Sequence, residues 1–321
     1  MKAKPFIKWA GGKGQLLSQL ERYLPAQIDG SPLTYIEPFV GGGAMLFHML
    51  NQHPEIRRAI INDINPHLVT VYRVIKDRPK DLIQHLALLE KKYFALTDEA
   101  SKKAFYLEAR EVFNEKKLND IDRSSYLIFL NRTCFNGLYR ENSKGKFNVP
   151  FGRNLHPTIC NADTIMADSD ALNRVNVTIL NGDFADTMNY LDDNGINFIY
   201  FDPPYRPLNA TSSFNSYVKE EFGDNEQIRL RDYTRKLDER PEVYWMLSNA
   251  DCSAKNPEDT FFEEIYGDFF INRVYASRAI NADPKKRGKL TELLICNYAP
   301  KDFGMIAFDE QVLNNQMAIA L

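Results

Sequence analysis

The tetrapeptide Asp202-Pro203-Pro204-Tyr205 brings together a carboxylate, two ring-locked backbone carbonyls and an aromatic ring. Such a set can activate a weakly nucleophilic amine. An exocyclic amine on a nucleobase has its lone pair delocalised into the ring. A carboxylate and a backbone carbonyl that each accept one N–H favour a pyramidal nitrogen with that pair free. Proline holds a carbonyl rigidly and has no N–H to compete for it, and a neighbouring tyrosine can stack on a flat base. The competing reading is a proline-stiffened turn with no chemistry. Position favours the first, because the tetrapeptide follows the strand-like run Ile196-Asn-Phe198-Ile199-Tyr200-Phe201. In α/β sheets, ligands sit beyond the carboxyl ends of such strands.

Other chemistry-bearing patterns fail. Gly11-Gly12-Lys13-Gly14 lacks the upstream glycine and the Ser/Thr after lysine that a phosphate-cradling loop requires. Gly41-Gly42-Gly43 has Leu46 where a dinucleotide fingerprint needs its third glycine. The histidines at 48, 53, 67, 85 and 156 show no H-x-x-x-H spacing, and there is no G-x-S-x-G elbow. Cys134, Cys160, Cys252 and Cys296 form no C-x-x-C pair, so reduced thiols are expected and no metal site.

The elements that must position the tetrapeptide read as α/β. Thr34-Tyr-Ile-Glu37 is strand-like and breaks into Pro38-Phe39-Val40-Gly41-Gly42-Gly43, followed by an apolar helix pattern through Met45, Leu46, Phe47, Met49 and Leu50. Ala59-Ile60-Ile61 then runs to Asn62-Asp63. Strand, glycine turn, helix, strand and acid is the order of a nucleotide-binding βαβ unit. From about residue 77 the pattern turns helical. Leu82, Leu86, Leu89 and Tyr93 mark one apolar face and Phe105, Ala109 and Val112 another, while Ser124 is a candidate cap for a third helix. A glycine- and asparagine-rich stretch from Asn136 to Arg153 fits a β-hairpin with Lys144-Gly145 at its turn. Strand character returns at Val175–Leu180, Ile196–Phe201, Val243–Leu247 and Leu293–Cys296. The helical block therefore interrupts one α/β domain. Residues 1–70 and 160–300 are expected to form that domain, 71–159 the insert, and 301–321 an extension without an apolar stripe.

With 44% hydrophobic and 26% charged residues, 21 Phe, 16 Tyr and 2 Trp, the chain has ample surface to bury and is not a disordered protein. No apolar run approaches the ~20 residues that cross a bilayer, and the opening MKAKPFIKWAGGKG carries no signal-peptide core. A cytoplasmic protein is expected. The net charge of −3 argues mildly against a polyanionic partner until it is sorted by segment. Residues 123–153 hold six basic groups against Glu141, and 273–301 hold seven against Asp283 and Glu292. Each segment is thus +5, which leaves −13 for the remainder. Two basic segments can bind a phosphate backbone if folding brings them to one face; solvated basic loops are the alternative.

The ordered combination of Phe6-Ile-Lys8-Trp9-Ala-Gly-Gly-Lys13, Glu37-Pro-Phe39-Val-Gly-Gly-Gly43, Asn62-Asp63-Ile-Asn65, Phe135-Asn136-Gly137-Leu138-Tyr139-Arg140, Phe147-Asn148-Val149-Pro150 and Asp202-Pro-Pro-Tyr205 resembles the Dam-type, D12-class N6-adenine DNA methyltransferases. That group includes the GATC-modifying enzymes of bacteria and phages. The resemblance covers about residues 5–300. It implies a Rossmann-like methyltransferase sheet with an inserted, mainly helical target-recognition domain carrying a β-hairpin. It further implies S-adenosylmethionine as cofactor and duplex DNA as partner, a monomer, and methyl transfer to adenine N6 after base flipping.

Residue by residue, the resemblance implies that Trp9 and Lys13 line the cofactor pocket, with Lys13 suited to the methionine carboxylate. Glu37, Phe39, Gly41 and Gly43 belong to the turn under the methionine moiety. Asp63 takes the ribose hydroxyls, a role its place at a strand end also suggests. Phe184 packs on the adenine, with a core position a near-equal alternative. Asp202, Pro203 and Tyr205 are the catalytic set, with Asp202 between cofactor and target amine. On the DNA side, Phe135 stands where the family has a wedge into the base stack, although a helix-end core position would also suit it. Arg140 is suited to guanine O6 and N7, Leu138 and Pro150 to a thymine methyl, and Lys8 to the first guanine. Arg132, Asn136 and Lys146 are assigned to phosphates. The ten-residue spacing from Arg140 to Pro150 agrees with the GATC-reading members, and Tyr139 lies where members vary. Arg278 to Lys289 resembles a DNA-proximal loop. Rival readings are a methyltransferase for RNA adenine or cytosine N4, and a GATC-binding regulator without catalysis. The sequence leaves open whether a restriction-modification partner exists.

Overall fold

The computed structural model describes residues 1–115, 117–154, 156–206, 222–277 and 289–300. The expected loop from Arg278 and the extension from 301 to 321 lie outside these residues.

Seven strands form one sheet: β1 (Leu33–Glu37), β2 (Ile56–Asp63), β3 (Asn176–Asn181), β4 (Ile196–Phe201), β5 (Val243–Ala250), β6 (Phe270–Ser277) and β7 (Lys289–Cys296). Their order is β3-β2-β1-β4-β5-β7-β6. The first five are mutually parallel, and β7 runs antiparallel between β5 and β6. Successive side chains on a strand point to opposite faces, so the apolar runs feed two cores. Tyr35, Ala59, Ile61, Phe198, Tyr200, Met246 and Leu294 join one core, while Ile36, Ile60, Ile199, Phe201, Trp245, Leu247 and Ile295 join the other. This is why β4 reads as an unbroken hydrophobic run instead of an alternation. The α/β sheet expected from the sequence is the architecture found.

β1 sits between β2 and β4, so chain order reverses beside it. A crevice at such a switch point, beyond the strand carboxyl ends, is where open α/β sheets bind ligands. Glu37, Asp63 and Asp202 stand at or just past the ends of β1, β2 and β4.

One face of the sheet carries most helices: α1 (Leu17–Arg22), α2 (Ala44–Gln52), α3 (Pro66–Asp77), α4 (Pro79–Ala95), α5 (Glu99–Phe113), α6 (Asp120–Thr133) and α7 (Ala162–Arg174). On the other face lie α8 (Asp224–Asp238) and the short α9 (Phe261–Ile265). α3 begins cleanly because the Asn65 side chain accepts the His67 and Leu68 N–H groups and Pro66 needs no donor partner. α4 buries Leu82, Leu86, Leu89 and Tyr93, as their spacing predicts. Two details of the helical block differ from expectation. α5 buries Ala109 as predicted, but with Tyr106 and Phe113, each one position on from Phe105 and Val112, which lie at the margin. α6 starts four residues before Ser124. Asn119 caps it by accepting Asp122 N–H at 2.9 Å, and Ser124 is fully buried in its second turn. Asparagine ranks with serine as a cap, and the two acids that follow favour the earlier start.

After α6 the chain makes a tight 3-10 turn, Phe135–Gly137, in which Asn136 (φ 56°) and Gly137 (φ 67°) are both left-handed. The predicted hairpin follows as a turn closed by Gly145 N–H on Asn142 C=O at 2.8 Å. It forms no ladder, only the single bridges Glu141–Phe147 and Cys134–Phe151. Side chains take the place of a neighbouring strand. Asn114 holds both the N–H and the C=O of Phe147, and Tyr106 donates to Val149 C=O at 2.7 Å.

Candidate active site

β4 delivers Asp202 to the crevice, where its Oδ1 lies 3.0 Å from Lys13 Nζ. The ammonium also lies 3.5 Å from Glu292 Oε2 and 4.2 Å from the centre of the Tyr205 ring. Tyr205 OH donates to Glu292 Oε2 at 2.7 Å. Lys13 is only 5% exposed and the Asp202 and Glu292 side chains 20% and 17%, so this cage of one ammonium, two carboxylates and a phenol is largely screened from water. Burial pushes the Asp202 carboxyl up to about 6; Lys13 pulls it down and Glu292 pushes it further up. Behind it, Glu37 is buried, accepts from Tyr35 OH at 2.7 Å, and is held well above the usual carboxylate range by desolvation, against the pull of that hydrogen bond.

The proline loop is anchored by side chains the sequence did not single out. Gln227 Nε2 donates to Pro204 C=O at 3.0 Å, and Asn249 Nδ2 donates to Gln227 Oε1 at 3.1 Å. Arg206 then ties the loop's exit to Asp224 and Asp259 and lies over the Phe261 ring at 4.5 Å.

The turn after β1 is built around glycines whose conformation matters. Gly43 (φ 76°) opens α2, and a Cβ there would fall 2.5 Å from Tyr72 OH. That hydroxyl donates to Gly41 C=O at 2.9 Å. Gly41 N–H and Asn65 N–H donate to the two oxygens of Asp63 at 3.0 and 2.9 Å. Burial pushes Asp63 up to about 6 while these N–H groups pull it down. Each oxygen keeps a lone pair. Ile64, next in the chain, is 61% exposed, a large apolar surface on the crevice lip that the sequence reading passed over. Trp9 stacks on Tyr139 with ring centres 5.2 Å apart. Tyr139 also donates to Glu141, so a position at which family members vary joins Trp9 to the hairpin. Phe184 takes its core alternative: it is 3% exposed and packed among Phe39, Phe222 and Tyr233, with Arg229 over its ring.

Beside the crevice, Asn131 on α6 accepts Lys8 N–H at 3.0 Å and donates to Lys8 C=O and Gly137 C=O at 2.9 and 2.8 Å. One buried amide thus fastens the Lys8 segment to the Phe135–Gly137 turn. Phe135 is half exposed, and Asn136, Lys146 and Pro150 are exposed around it. Arg140 is partly buried, its guanidinium donating to Asn148 Oδ1 at 2.6 Å, and Leu138 packs against the core edge. Arg132 differs from its expected phosphate role. Its guanidinium donates to Phe6 C=O at 2.6 Å in a partly desolvated position, a tie between α6 and the N-terminal segment.

The family model for D12-class N6 adenine-specific DNA methyltransferases matches residues 9–280, a span that contains Lys13, Asp202 and Tyr205 of the cage, the glycine turn and the Phe135 turn. The chain belongs to this family. It is 47% identical over 303 residues to the type II methyltransferase M.MjaIII of Methanocaldococcus jannaschii, covering 93% of this chain and all of that one. It is 37% identical to the type II methyltransferase M1.LlaDCHI of Lactococcus lactis, covering 92% and 95%. With the DNA adenine methylase of Escherichia coli it shares 32% identity, over 91% and 95%. This D12-class enzyme is accordingly an adenine-specific DNA methyltransferase on a Rossmann-like α/β sheet, and the family implies S-adenosylmethionine as methyl donor. Among the described residues no helix is long and apolar enough to cross a membrane, and no group of three or more His, Cys, Asp or Glu is arranged to hold a metal.

The residues that sequence reasoning missed each left a trace. Glu292 is an acid inside the apolar run Leu290-Thr-Glu-Leu-Leu-Ile295, and Asn131 interrupts the apolar stretch Leu127-Ile-Phe-Leu130. Gln227 left none, being one polar residue among many on α8.

Proposed function

We propose that this methyltransferase acts on adenine in GATC within duplex DNA, turning the base out of the stack and presenting its N6 amine to Asp202. The observation that carries the reading is the half-exposed Phe135 on a left-handed turn fastened through Asn131 to Lys8, alongside the buried Lys13–Asp202 pair. An exposed aromatic on a rigid turn suits a wedge between base steps, and chemistry on a base amine requires the base to leave the stack.

The described side chains fit the cofactor. Lys13 supplies a cation for its carboxylate, Asp63 acceptors for its ribose diol, Ile64 an apolar face for its adenine, and the acid cage a counter-charge for its sulfonium. Trp9, Phe39, Gly41 and Gly43 shape the same crevice. S-adenosylmethionine supplies an electrophilic methyl group when bound. Asp202 and the Pro203 carbonyl accept the two amine N–H bonds, which frees the nitrogen lone pair for in-line attack. Pro203 is the proline assigned here because the Pro204 carbonyl already accepts from Gln227. Tyr205, fixed by Glu292, stacks on the base. The cationic product amine then loses its proton, to Asp202 or water. For sequence reading, Arg140 addresses guanine once it exchanges Asn148 for O6 and N7, Leu138 and Pro150 meet the thymine methyl, Lys8 the first guanine, and Asn136 and Lys146 the phosphates. Residues 1–70 with 160–300 form the catalytic unit and 71–159 the recognition unit in this reading, which needs one chain per site.

The test is transfer of labelled methyl to duplexes carrying GATC, to duplexes with that site scrambled, and to RNA. Labelling confined to GATC duplexes is expected. Equal labelling of the scrambled duplex would refute the sequence assignment. A 2-aminopurine at the target position should brighten on binding in wild type and much less with Phe135→Ala, if the wedge assignment holds.

A further inference from the structure

We infer that Glu292 is a specificity-determining residue of the cofactor site: its carboxylate makes the pocket hold a cationic sulfonium more tightly than the neutral thioether left after transfer. The inference rests on the reading that puts S-adenosylmethionine beside Lys13 and Asp202.

Glu292 lies in the middle of β7, opposite Ala250 on β5 and Val274 on β6. A carboxylate at 17% exposure between two sheet neighbours is uncommon without a purpose for its charge. Its Oε2 receives the Tyr205 hydroxyl at 2.7 Å and lies 3.5 Å from Lys13 Nζ, which Asp202 already pairs at 3.0 Å. A pocket that uses Lys13 only to grip a carboxylate needs one counter-charge, and Asp202 supplies it. The second acid leaves the cage one negative charge in excess.

Methyl transfer changes the charge this cage faces. The carbon–sulfur bond breaks, sulfur keeps the electron pair and loses its positive charge, and the methyl joins the amine nitrogen. Excess negative charge in a poorly screened crevice attracts the sulfonium and not the thioether. Glu292 therefore biases the site toward fresh cofactor over spent product.

The experiment is calorimetric titration of wild type, Glu292→Gln and Glu292→Asp with S-adenosylmethionine and with S-adenosylhomocysteine, without DNA. Gln keeps an acceptor for Tyr205 and removes the charge; Asp keeps the charge. The preference for sulfonium over thioether should fall roughly three- to thirtyfold in Glu292→Gln, mainly through weaker sulfonium binding. It should stay within about twofold of wild type in Glu292→Asp, and Glu108→Gln on exposed α5, which changes net charge alike, should leave both affinities unchanged. Equal weakening of both ligands in Glu292→Gln, or an unchanged ratio, overturns the inference and makes Glu292 a shape element. Failure of wild type to bind either ligand would instead overturn the cofactor placement beneath it.

Discussion

Lys13 is the residue through which the cage sets the protonation of Asp202, and Lys13→Met removes that control without adding volume. In the folded protein Nζ stands 3.0 Å from Asp202 Oδ1. At an effective dielectric of ~20 the gross attraction over that distance is about 5 kcal/mol, an upper bound on its effect. An ammonium in contact with a carboxylate typically lowers its pKa by about 1–3 units, each worth about 1.4 kcal/mol. Asp202 stands at about 6 with Lys13 in place, because burial outweighs the pairing. Without the ammonium, burial and Glu292 both push upward, so the carboxyl should move to ~8. Only the ionised form leaves either oxygen free of a proton to accept the amine N–H, and at pH 7 its fraction falls from about nine-tenths to about one-tenth. Single-turnover methylation at saturating cofactor and DNA should therefore show an acid limb displaced upward by ~2 pH units. The rate should be about tenfold lower at pH 7 and largely regained at pH 9. Saturation separates this from the weaker cofactor binding that loss of Lys13 also brings. A limb that stays near 6, or moves down, would refute the assignment of Asp202 as the ionised amine acceptor.

Asp168 is fully buried, with Lys4 N–H on one oxygen at 2.9 Å and no hydrogen-bond partner among the described residues on the other. Burial raises its carboxyl from 3.8 to about 7, so the penalty of ionising it in the fold grows as pH rises between those values and is complete above. Asp168→Asn should raise stability by roughly 1–3 kcal/mol at pH 8 and by little or nothing at pH 4, read from urea unfolding midpoints; a loss at pH 8 would contradict this. Gly43→Ala forces a left-handed alanine and sets its Cβ 2.5 Å from Tyr72 OH, so a loss of about 2–4 kcal/mol and a higher cofactor Kd are expected. Unchanged thermal unfolding would show that the turn has another conformation. Gln227→Ala strips the Pro204 carbonyl of its donor. Single-turnover rate should drop about tenfold with cofactor affinity nearly unchanged, since loss of a buried partner costs about 1–3 kcal/mol; an unaltered rate would remove Gln227 from the positioning network.

What could be read from the sequence follows from the range of the interactions concerned. Asp202 was legible because β4 is buried on both faces and so announces itself as an apolar run with an acid at its end. Asp63 was legible for the same reason at β2. The α5 face and the α6 cap lie one and five positions from where the sequence puts them, because near-equivalent residues compete locally and tertiary packing decides among them. Glu292 and Gln227 lie ninety and twenty-five residues beyond Asp202, and nothing in local patterning connects an acid on β7 or an amide on α8 to a loop after β4. Arg132 shows the converse. A basic residue on a basic segment reads as a phosphate contact, and the fold uses it to bind a backbone carbonyl. Phe184, for which the sequence allows either a cofactor contact or a core position, is packed in the core.

The N-terminal segment draws these observations together. Residues 4–13 form no helix or strand, so their backbone groups find side-chain partners. Lys4 N–H goes to Asp168 on α7, Phe6 C=O to Arg132 on α6, and both backbone groups of Lys8 to Asn131 on α6. Trp9 then stacks on Tyr139 beside the hairpin, and Lys13 ends in the cage with Asp202. Ten residues therefore touch the helical block, the Phe135 turn and the catalytic carboxylate in succession. An irregular segment can do this because it bends at Phe6 and Ile7 and turns at Ala10-Gly11, which redirects it from one partner to the next. Under the proposed function, the first base contact at Lys8 and the charge that tunes Asp202 lie five residues apart on one strip, pinned between them by a stacked tryptophan. A substitution that frees Trp9 or Asn131 should therefore disturb DNA reading and cofactor binding together, although neither side chain belongs to the acid cage.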